Sequence, residues 1–249
     1  MHINQEASTT FLKKLGIFFL DILFPLRCLG CSTKGAWICD ICLSQIPYRL
    51  EQHCPTCLKR VTKDGRVCFE CQDTAHHALD GIFVASYYRD TLIPHAVHTY
   101  KYRFIPGLSQ PLGTFLVRAL LQSTLPLPDA IIPVPLHRRR LRFRGFNQSE
   151  LLAQILSQTL TPGLDVPLYT EVLIRTRFTK PQMKTDSREE RLSNLKNAFA
   201  IQETSTPILK GKSLWLIDDV ATTGTTLEEC ATVLKQHGAT AVFGIVLAR

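Results

Sequence analysis

The segment that most constrains the fold of this 249-residue chain lies at residues 214–226, near the carboxyl end. Four apolar residues open it and predict a short strand buried on both faces, as in a parallel sheet covered by helices. Two carboxylates, Asp218 and Asp219, follow and lead into a stretch rich in Thr and Gly. Apolar residues at helical spacing then continue to residue 234 and predict a helix. Open α/β sheets bind their ligands where such a strand passes into its helix.

The residue types in this segment fit one ligand, phosphoribosyl pyrophosphate (PRPP) bound together with Mg²⁺. Paired carboxylates can accept hydrogen bonds from the two ribose hydroxyls and help to hold the metal, so we predict Asp218 and Asp219 as catalytic residues. Backbone N–H groups and hydroxyls at the start of a helix stabilise a phosphate. The predicted phosphate-binding residues are Ala221, Thr222, Thr223, Gly224, Thr225 and Thr226. The alternative is an ordinary surface turn, since Asp, Thr and Gly are common turn residues.

Eight of the nine cysteines form four C-x-x-C pairs, which predict metal binding rather than disulfides. The pairs are Cys28/Cys31, Cys39/Cys42, Cys54/Cys57 and Cys68/Cys71. Four thiolates close a tetrahedral structural site, so we predict two zinc ions, which would supply the folding free energy of this small module. Consecutive pairs can share an ion, or a cross-braced arrangement can join the first pair to the third. Four redox-active dithiols are a further alternative.

Three regions follow from the composition along the chain. Residues 1–27 hold an apolar stretch that Asp21 interrupts and Pro25 ends, and it is too short to span a bilayer. We interpret it as an amphipathic packing segment rather than a signal peptide, and we expect a cytoplasmic protein without stable membrane insertion. Residues 28–75 form the double zinc-ribbon or zinc-knuckle module, and residues 80–249 form the domain with the predicted PRPP site.

The second half of the chain alternates between predicted strands and helices. Strands are predicted at residues 130–134, 171–175, 214–217 and 242–247, and apolar helical faces at residues 92–104, 112–120, 152–160 and 227–234. Strands that alternate with helices are typical of a parallel sheet. The predicted fold class is therefore α/β, with a parallel sheet flanked by helices and preceded by the small cysteine-rich module.

Positive charge is concentrated after the first predicted strand. The net charge is +8, and five of the seven residues at 138–144 are arginine. We predict a basic loop there, opening on the same sheet edge as Asp218, where arginines can hold a pyrophosphate. They can equally contact single-stranded DNA, with Phe143 and Phe146 as stacking platforms, and a solvated basic surface is the third alternative. The predicted pyrophosphate or DNA contacts are Lys101, His137, Arg138, Arg139, Arg140, Arg142, Arg144, Arg177 and Lys180.

A long polar insertion separates the predicted strand at 171–175 from the next apolar residues at 198–199. It contains Arg177 and Lys180. Long ordered loops are usually lids or binding loops, so we predict a cover that closes over an anionic ligand.

Taken in order, these motifs resemble the ComF/GntX family of competence proteins. The resemblance rests on the cysteine knuckles, Lys101-Tyr102-Arg103, the basic block at 133–148, the polar block at 179–199 and the Asp218–Thr226 motif. It implies a type I phosphoribosyltransferase fold with an N-terminal zinc finger, and a role in handling incoming single-stranded DNA during natural transformation. PRPP, single-stranded DNA and proteins of the DNA-uptake machinery are the implied partners. An active Mg²⁺-dependent phosphoribosyltransferase with an unknown acceptor is the alternative.

Overall fold

The computed structural model describes residues 26–72, 77–89, 92–178 and 197–249. The chain divides into two compact units, Met1–Gln45 and Ile46–Arg249. The apolar segment predicted before residue 26 lies outside the described residues, as do Lys180 and most of the predicted lid. None of the helices within these described ranges is long and apolar enough to cross a membrane.

The first unit is organised around one helical turn and one cysteine knuckle. Helix α1 (Asp40–Ser44) buries Cys42 and Leu43, and an antiparallel bridge joins Arg27 to Lys34. The knuckle turns tightly, because the N–H of Ser32 donates to the carbonyl of Cys28 at 2.9 Å. Within residues 26–45, the part of this unit that the structure describes, the buried apolar side chains besides cysteine are Ile38 and Leu43.

The second unit contains the main sheet and its helices. Its strands are β1 (Gly81–Ser86), β2 (Ala130–Pro133), β3 (Leu173–Arg175), β4 (Phe199–Ile201), β5 (Ser213–Val220) and β6 (Ala241–Ala248). Its α-helices are α2 (Phe69–Gln72), α3 (Leu92–Tyr102), α4 (Ser109–Leu120), α5 (Arg138–Arg144), α6 (Gln148–Thr159), α7 (Thr206–Leu209) and α8 (Thr225–Gln236). Short 3₁₀ helices cover Lys63–Gly65, Pro106–Leu108 and Glu203–Ser205.

The main sheet has four parallel strands in the order β1-β6-β5-β2, and the α/β prediction is confirmed. Every residue of β1 and β2 is buried, which explains their uninterrupted apolar sequences. Strand β1 is not among the predicted strands. It is a short run of buried residues that begins a few positions after the cysteine-rich segment. Helix α8 buries Leu227, Cys230 and Leu234, as its apolar spacing predicts.

The structure corrects two of the local predictions. The strand predicted at 171–175 is limited to β3, which pairs antiparallel with β4 in a separate two-stranded sheet instead of joining the parallel sheet. Its burial alternates along the strand, as expected of a strand covered on one face only. The predicted basic loop is in part helix α5, because His137 caps its first turn and Gly145 ends it in the left-handed conformation.

The cysteine-rich part of the second unit covers the free edge of β1. The side-chain amide of Gln52 bonds both polar groups of Val84, donating to its carbonyl at 2.9 Å and accepting from its N–H at 3.0 Å. Gly65 (φ 72°) approaches so closely that a Cβ there would lie 2.0 Å from the carbonyl oxygen of Ile82. An open strand edge is prone to unwanted pairing, and this segment blocks it.

Candidate phosphate site and metal centres

The acidic pair lies inside the last part of β5, at the carboxyl edge of the sheet. Both carboxylates line one recess at this edge. Asp218 Oδ1 accepts a hydrogen bond from the Ser149 hydroxyl at 3.0 Å. Asp219 Oδ1 lies 2.8 Å from Lys101 Nζ and accepts from the N–H of Val220 at 2.7 Å. Helices α3 and α6 thus each bring one polar side chain to the pair.

Burial and mutual repulsion act on the two carboxylates. Burial, together with the charge of Asp219, raises the pKa of Asp218 to about 7, although Lys101 acts in the opposite direction. Burial alone would lower the pKa of Lys101, but the charges of Asp219 and Asp218 raise it. The half-buried Asp218 and the buried Asp219 together favour a nearby cation, and Lys101 supplies one positive charge.

A small recess beside the acidic pair has four cations in its lining. We call it the basic pocket; its volume is about 190 Å³. Its positively charged lining residues are Lys101, Arg140, Arg144 and Arg175. Burial lowers the pKa of Arg140, and the positive charge of Arg144 lowers it further. Burial also lowers the pKa of Arg175, and the positive charge of Arg140 adds to this effect. The guanidinium groups therefore repel one another, and an anion between them would relieve this repulsion.

One buried amide in the basic pocket carries an unused donor. Gln148 is 2% exposed, and its Oε1 accepts from Arg144 Nη1 at 2.6 Å. Its Nε2 has no hydrogen-bond partner within the part of the chain that the structure describes. A buried donor without a partner costs free energy, so such groups usually point to a bound water or ligand. Gln148 Nε2 is positioned to donate to an oxygen atom held in the pocket.

The loop after the acidic pair begins α8 at a glycine. Gly224 has φ 79°, and a Cβ there would lie 3.1 Å from Ile82 Cδ1, so glycine suits both the conformation and the space. Arg249 donates to the carbonyls of Thr222 and Thr223 at 3.3 and 3.2 Å. The N–H of Ala221 already donates to Ala248. The other five predicted phosphate-binding residues surround the N-terminus of a twelve-residue helix, which favours an anion.

The structure separates the predicted cationic residues into several places. Lys101, Arg140 and Arg144 line the basic pocket. His137 and Arg138 line a neighbouring cleft of about 860 Å³, and Arg139 lies over the ring of Phe178 at 5.4 Å. Arg142 and Arg177 are exposed, and Lys180 lies outside the described residues. Phe143 is 78% exposed, whereas Phe146 packs on Tyr100 with ring centroids 5.5 Å apart.

The pocket residues absent from the predicted site include Arg175, Gln148 and Ser149. Arg175 ends β3, and its guanidinium lies 5.2 Å from the ring of Phe199. Gln148 and Ser149 open α6, whose start is fixed by Asn147: its side chain accepts from the N–H of Ser149 at 3.2 Å and donates to the carbonyl of Val134 at 3.1 Å. A helix N-terminus directly after the basic segment was the available signal for these two residues.

Two four-cysteine clusters match the four C-x-x-C pairs, with consecutive pairs together. Cys28, Cys31, Cys39 and Cys42 form one, and Cys54, Cys57, Cys68 and Cys71 the other, all sulfur atoms of each within 4.8 Å. The sulfurs of Cys31 and Cys39 are 3.6 Å apart, and those of Cys57 and Cys68 3.9 Å. Tetrahedral zinc with Zn–S bonds of about 2.3 Å needs about 3.8 Å, so both clusters fit structural zinc.

Backbone hydrogen bonds further adapt the sulfurs to metal binding. The N–H groups of Gly30 and Cys39 donate to Cys28 Sγ at 3.4 and 3.3 Å, and that of Cys68 donates to Cys54 Sγ at 3.4 Å. Such bonds favour the thiolate, which is the form that binds zinc. Hydrogen bonds from the side chain and backbone of Thr33 also lower the pKa of Cys31 to about 6.

The parallel sheet with flanking helices and the two four-cysteine centres define a phosphoribosyltransferase-like protein with a double zinc ribbon. Residues 147–249 match the phosphoribosyl transferase domain family, and residues 19–75 match the double zinc ribbon domain family. The DNA utilization protein YhgH of Escherichia coli (strain K12) is 35% identical over 213 residues, 84% of this chain and 88% of that protein. Competence protein F of Haemophilus influenzae is 31% identical over 219 residues, 85% of each.

The chain therefore belongs to the ComF family of competence proteins, as its motifs predicted. Among solved structures, the PRPP amidotransferase of B. subtilis complexed with ADP and GMP is similar over 60% of this chain and 30% of its own. That similarity has 20% sequence identity and a TM-score of 0.39.

Proposed function

We propose that this protein binds Mg²⁺-PRPP at the carboxyl edge of its sheet and handles incoming single-stranded DNA during natural transformation. In this role it acts in the cytoplasm, next to proteins of the DNA-uptake machinery. The names of the relatives, a competence protein and a DNA utilization protein, support the biological setting. The convergence of four cations, a buried amide donor and two carboxylates in one recess supports the ligand.

The proposed roles follow from the position of each group. Asp218 and Asp219 offer oxygen ligands of the kind that Mg²⁺ prefers, and they would hold the metal and the ribose hydroxyls. The loop at 222–226 would hold the 5-phosphate at the start of α8. Lys101, the pocket arginines and the amide of Gln148 would bind the pyrophosphate.

The proposed DNA contact is helix α5 with its five arginines. None of its residues is buried, and Arg138/Arg142 and Arg140/Arg144 are like charges four residues apart, which destabilise a helix. Phosphates along a single strand would neutralise these charges. If helix α5 were only a solvated basic surface, no DNA phosphates would offset the repulsion between its arginines.

The test of the PRPP site is a calorimetric titration of Mg²⁺-PRPP into the zinc-loaded protein. Asp218→Asn/Asp219→Asn keeps the side-chain shape and removes both charges, so we expect affinity to fall at least about 100-fold. Asp165→Asn, an exposed carboxylate elsewhere in this unit, is the matched control and should bind as the parent protein does. Unchanged affinity in the double variant would contradict the assignment.

The test of the DNA contact is the salt dependence of binding to an oligonucleotide. Single strands release about 0.7 counterions per neutralised phosphate, so affinity should fall steeply as salt rises. Arg138→Gln/Arg142→Gln changes two exposed arginines outside the basic pocket and should flatten this slope. A weak, salt-independent interaction in both proteins would remove DNA from the proposal.

A transferase activity is the second candidate, and one observation favours it. The cleft of about 860 Å³ shares Pro135, Leu136 and Arg175 with the basic pocket, and it also carries Glu150 and Glu171. An acceptor bound there would attack C1 of PRPP, forming a bond to C1 while the C1–O bond breaks and pyrophosphate leaves. Release of pyrophosphate with a panel of nucleobases and amines is the measurement. No release despite PRPP binding would leave a binding protein.

A further inference from the structure

Three exposed aromatic rings lie on or next to two helices that border the basic pocket, one of them in its lining. We call Tyr102, Phe104 and Phe143 the aromatic ledge. Tyr102 lines the pocket and is 60% exposed. Phe143 is 78% exposed and meets Phe104 edge to face, with ring centroids 5.2 Å apart. Large aromatic side chains that are exposed together usually mark a binding surface, so we expect this surface to bind a ligand with flat rings.

Arg144 connects the ledge to the pocket. Its guanidinium lines the basic pocket and also lies 6.0 Å from the centre of the Tyr102 ring. The same cation can therefore contact a phosphate on one side and support a stacking ring on the other. Phe104 has φ 55°, a left-handed conformation that bulky residues rarely adopt. The backbone thus presents the Phe104 ring to Phe143 in spite of local strain.

We propose that single-stranded DNA enters the basic pocket by a phosphorylated end and stacks its following bases on the aromatic ledge. This inference rests on the proposed function, because it places the DNA and PRPP in one recess and makes them compete. A terminal phosphate is a small group suited to a recess of about 190 Å³, whereas an interior phosphodiester brings a nucleotide on each side. A terminal phosphate also carries more negative charge than a phosphodiester does, which suits a lining with four cations against two carboxylates.

The first experiment compares labelled oligo(dT) with a 5′-phosphate, a 3′-phosphate or hydroxyls at both ends, by fluorescence anisotropy on the zinc-loaded protein. We expect one phosphorylated end to bind at least about 10-fold more tightly than the hydroxyl form, and the two phosphorylated arms identify which end enters. Mg²⁺-PRPP should displace that strand. Equal affinity for all three, or binding unaffected by saturating PRPP, would overturn the inference while leaving salt-dependent DNA binding and PRPP binding intact. Loss of either binding would instead refute the proposed function.

A second experiment uses the difference between the two ligands, since PRPP has no base to stack. Phe143→Ala should weaken the phosphorylated strand about 10-fold and leave the calorimetric affinity for Mg²⁺-PRPP within about 2-fold of the parent value. Phe69→Ala removes an equally exposed ring, 79% exposed, outside the ledge and should change neither. If Phe143→Ala binds the strand as tightly as Phe69→Ala does, the ledge does not stack DNA.

Discussion

The two four-cysteine centres use the same chemistry in different surroundings. Each joins two consecutive C-x-x-C pairs, with all sulfurs within 4.8 Å. The first lies in the small unit Met1–Gln45, and the second lies in Ile46–Arg249 with the whole sheet. A zinc ion stabilises whatever folds cooperatively around it. The same metal is therefore expected to stabilise the small first unit in the first case and the larger unit with the sheet in the second.

The contacts of the second centre explain this difference. The segment around it bonds β1 through Gln52, and the N–H of Val67 donates to the carbonyl of Asp80 at 3.0 Å. Pro55 and Thr56 lie inside the Cys54/Cys57 pair. They line a small cleft together with residues 223–225, which belong to the predicted phosphate-binding loop. The second ribbon thus contacts both the edge of the sheet and the loop that begins α8.

The largest expected effect comes from removing a zinc ligand at each centre in turn. Cys68→Ser should lower the free energy of unfolding of the larger unit by more than about 3 kcal/mol and weaken PRPP binding, because β1 and the phosphate loop lose support. Cys39→Ser should leave both quantities nearly unchanged. Hydrogen exchange of β1 amides, thermal unfolding and calorimetry measure the effects. Equal responses of the two variants would show that the centres do not differ in this way.

A second, smaller effect is expected at Gln52. Gln52→Ala leaves the N–H and carbonyl of Val84 without their side-chain partner at a buried edge, which should cost about 2 kcal/mol. Gln45→Ala removes an exposed amide of the same type from the first unit and should cost less than about 0.5 kcal/mol. Denaturant unfolding followed by tryptophan fluorescence in a Trp37→Phe background, where Trp215 in β5 is the remaining tryptophan, reports on the larger unit. Comparable losses in the two variants would contradict the role of Gln52 as an edge partner.

The sequence alone predicts the parts whose signals are local. The apolar run before Asp218, the spacing within α8 and the C-x-x-C pairs each lie within a few neighbouring residues, so pattern and structure agree. Zinc pairing stayed open, because spacing permits both arrangements and only the fold brings consecutive pairs together. Helix α5 lies where the sequence predicts a loop. Five like charges in two turns disfavour a helix by pattern, and the caps at His137 and Gly145 are weaker local signals than these charges.

The basic pocket was predicted only in part, for a different physical reason. Its residues come from α3, α5, α6, α8, β3, β5 and the segment after β2. The sequence pattern does not indicate which of the many arginines converge on one pocket. Arg175 ends a three-residue strand whose antiparallel pairing depends on residues more than twenty positions away. By sequence, Gln148 is an ordinary residue in the first turn of a helix. That its amide donor is buried and has no partner among the described residues is evident from the structure alone.

A third effect tests how the second ribbon is attached beyond β1. The carboxylate of Asp64 accepts from the N–H and the hydroxyl of Thr124 at 3.1 and 2.5 Å, joining the 3₁₀ turn to the segment before β2. Asp64→Ala should cost about 1 kcal/mol, because both groups are partly exposed and water can replace the bonds. Thr124→Val, which loses the hydroxyl but keeps the N–H, should cost less. No loss in either variant would limit the attachment of the ribbon to the β1 edge.

The smallest effect is expected for an ion pair within the second ribbon itself. Arg60, between the two cysteine pairs of this centre, forms an ion pair with Glu70, inside the second pair, but their side chains are 56% and 64% exposed. Exposed pairs gain little, since water screens the charges and ordering two long side chains costs entropy. Glu70→Gln should therefore change the free energy of unfolding by less than about 0.5 kcal/mol. A loss as large as that of Gln52→Ala would mean that ion pairing, rather than zinc and the edge contacts with β1, holds this ribbon in place.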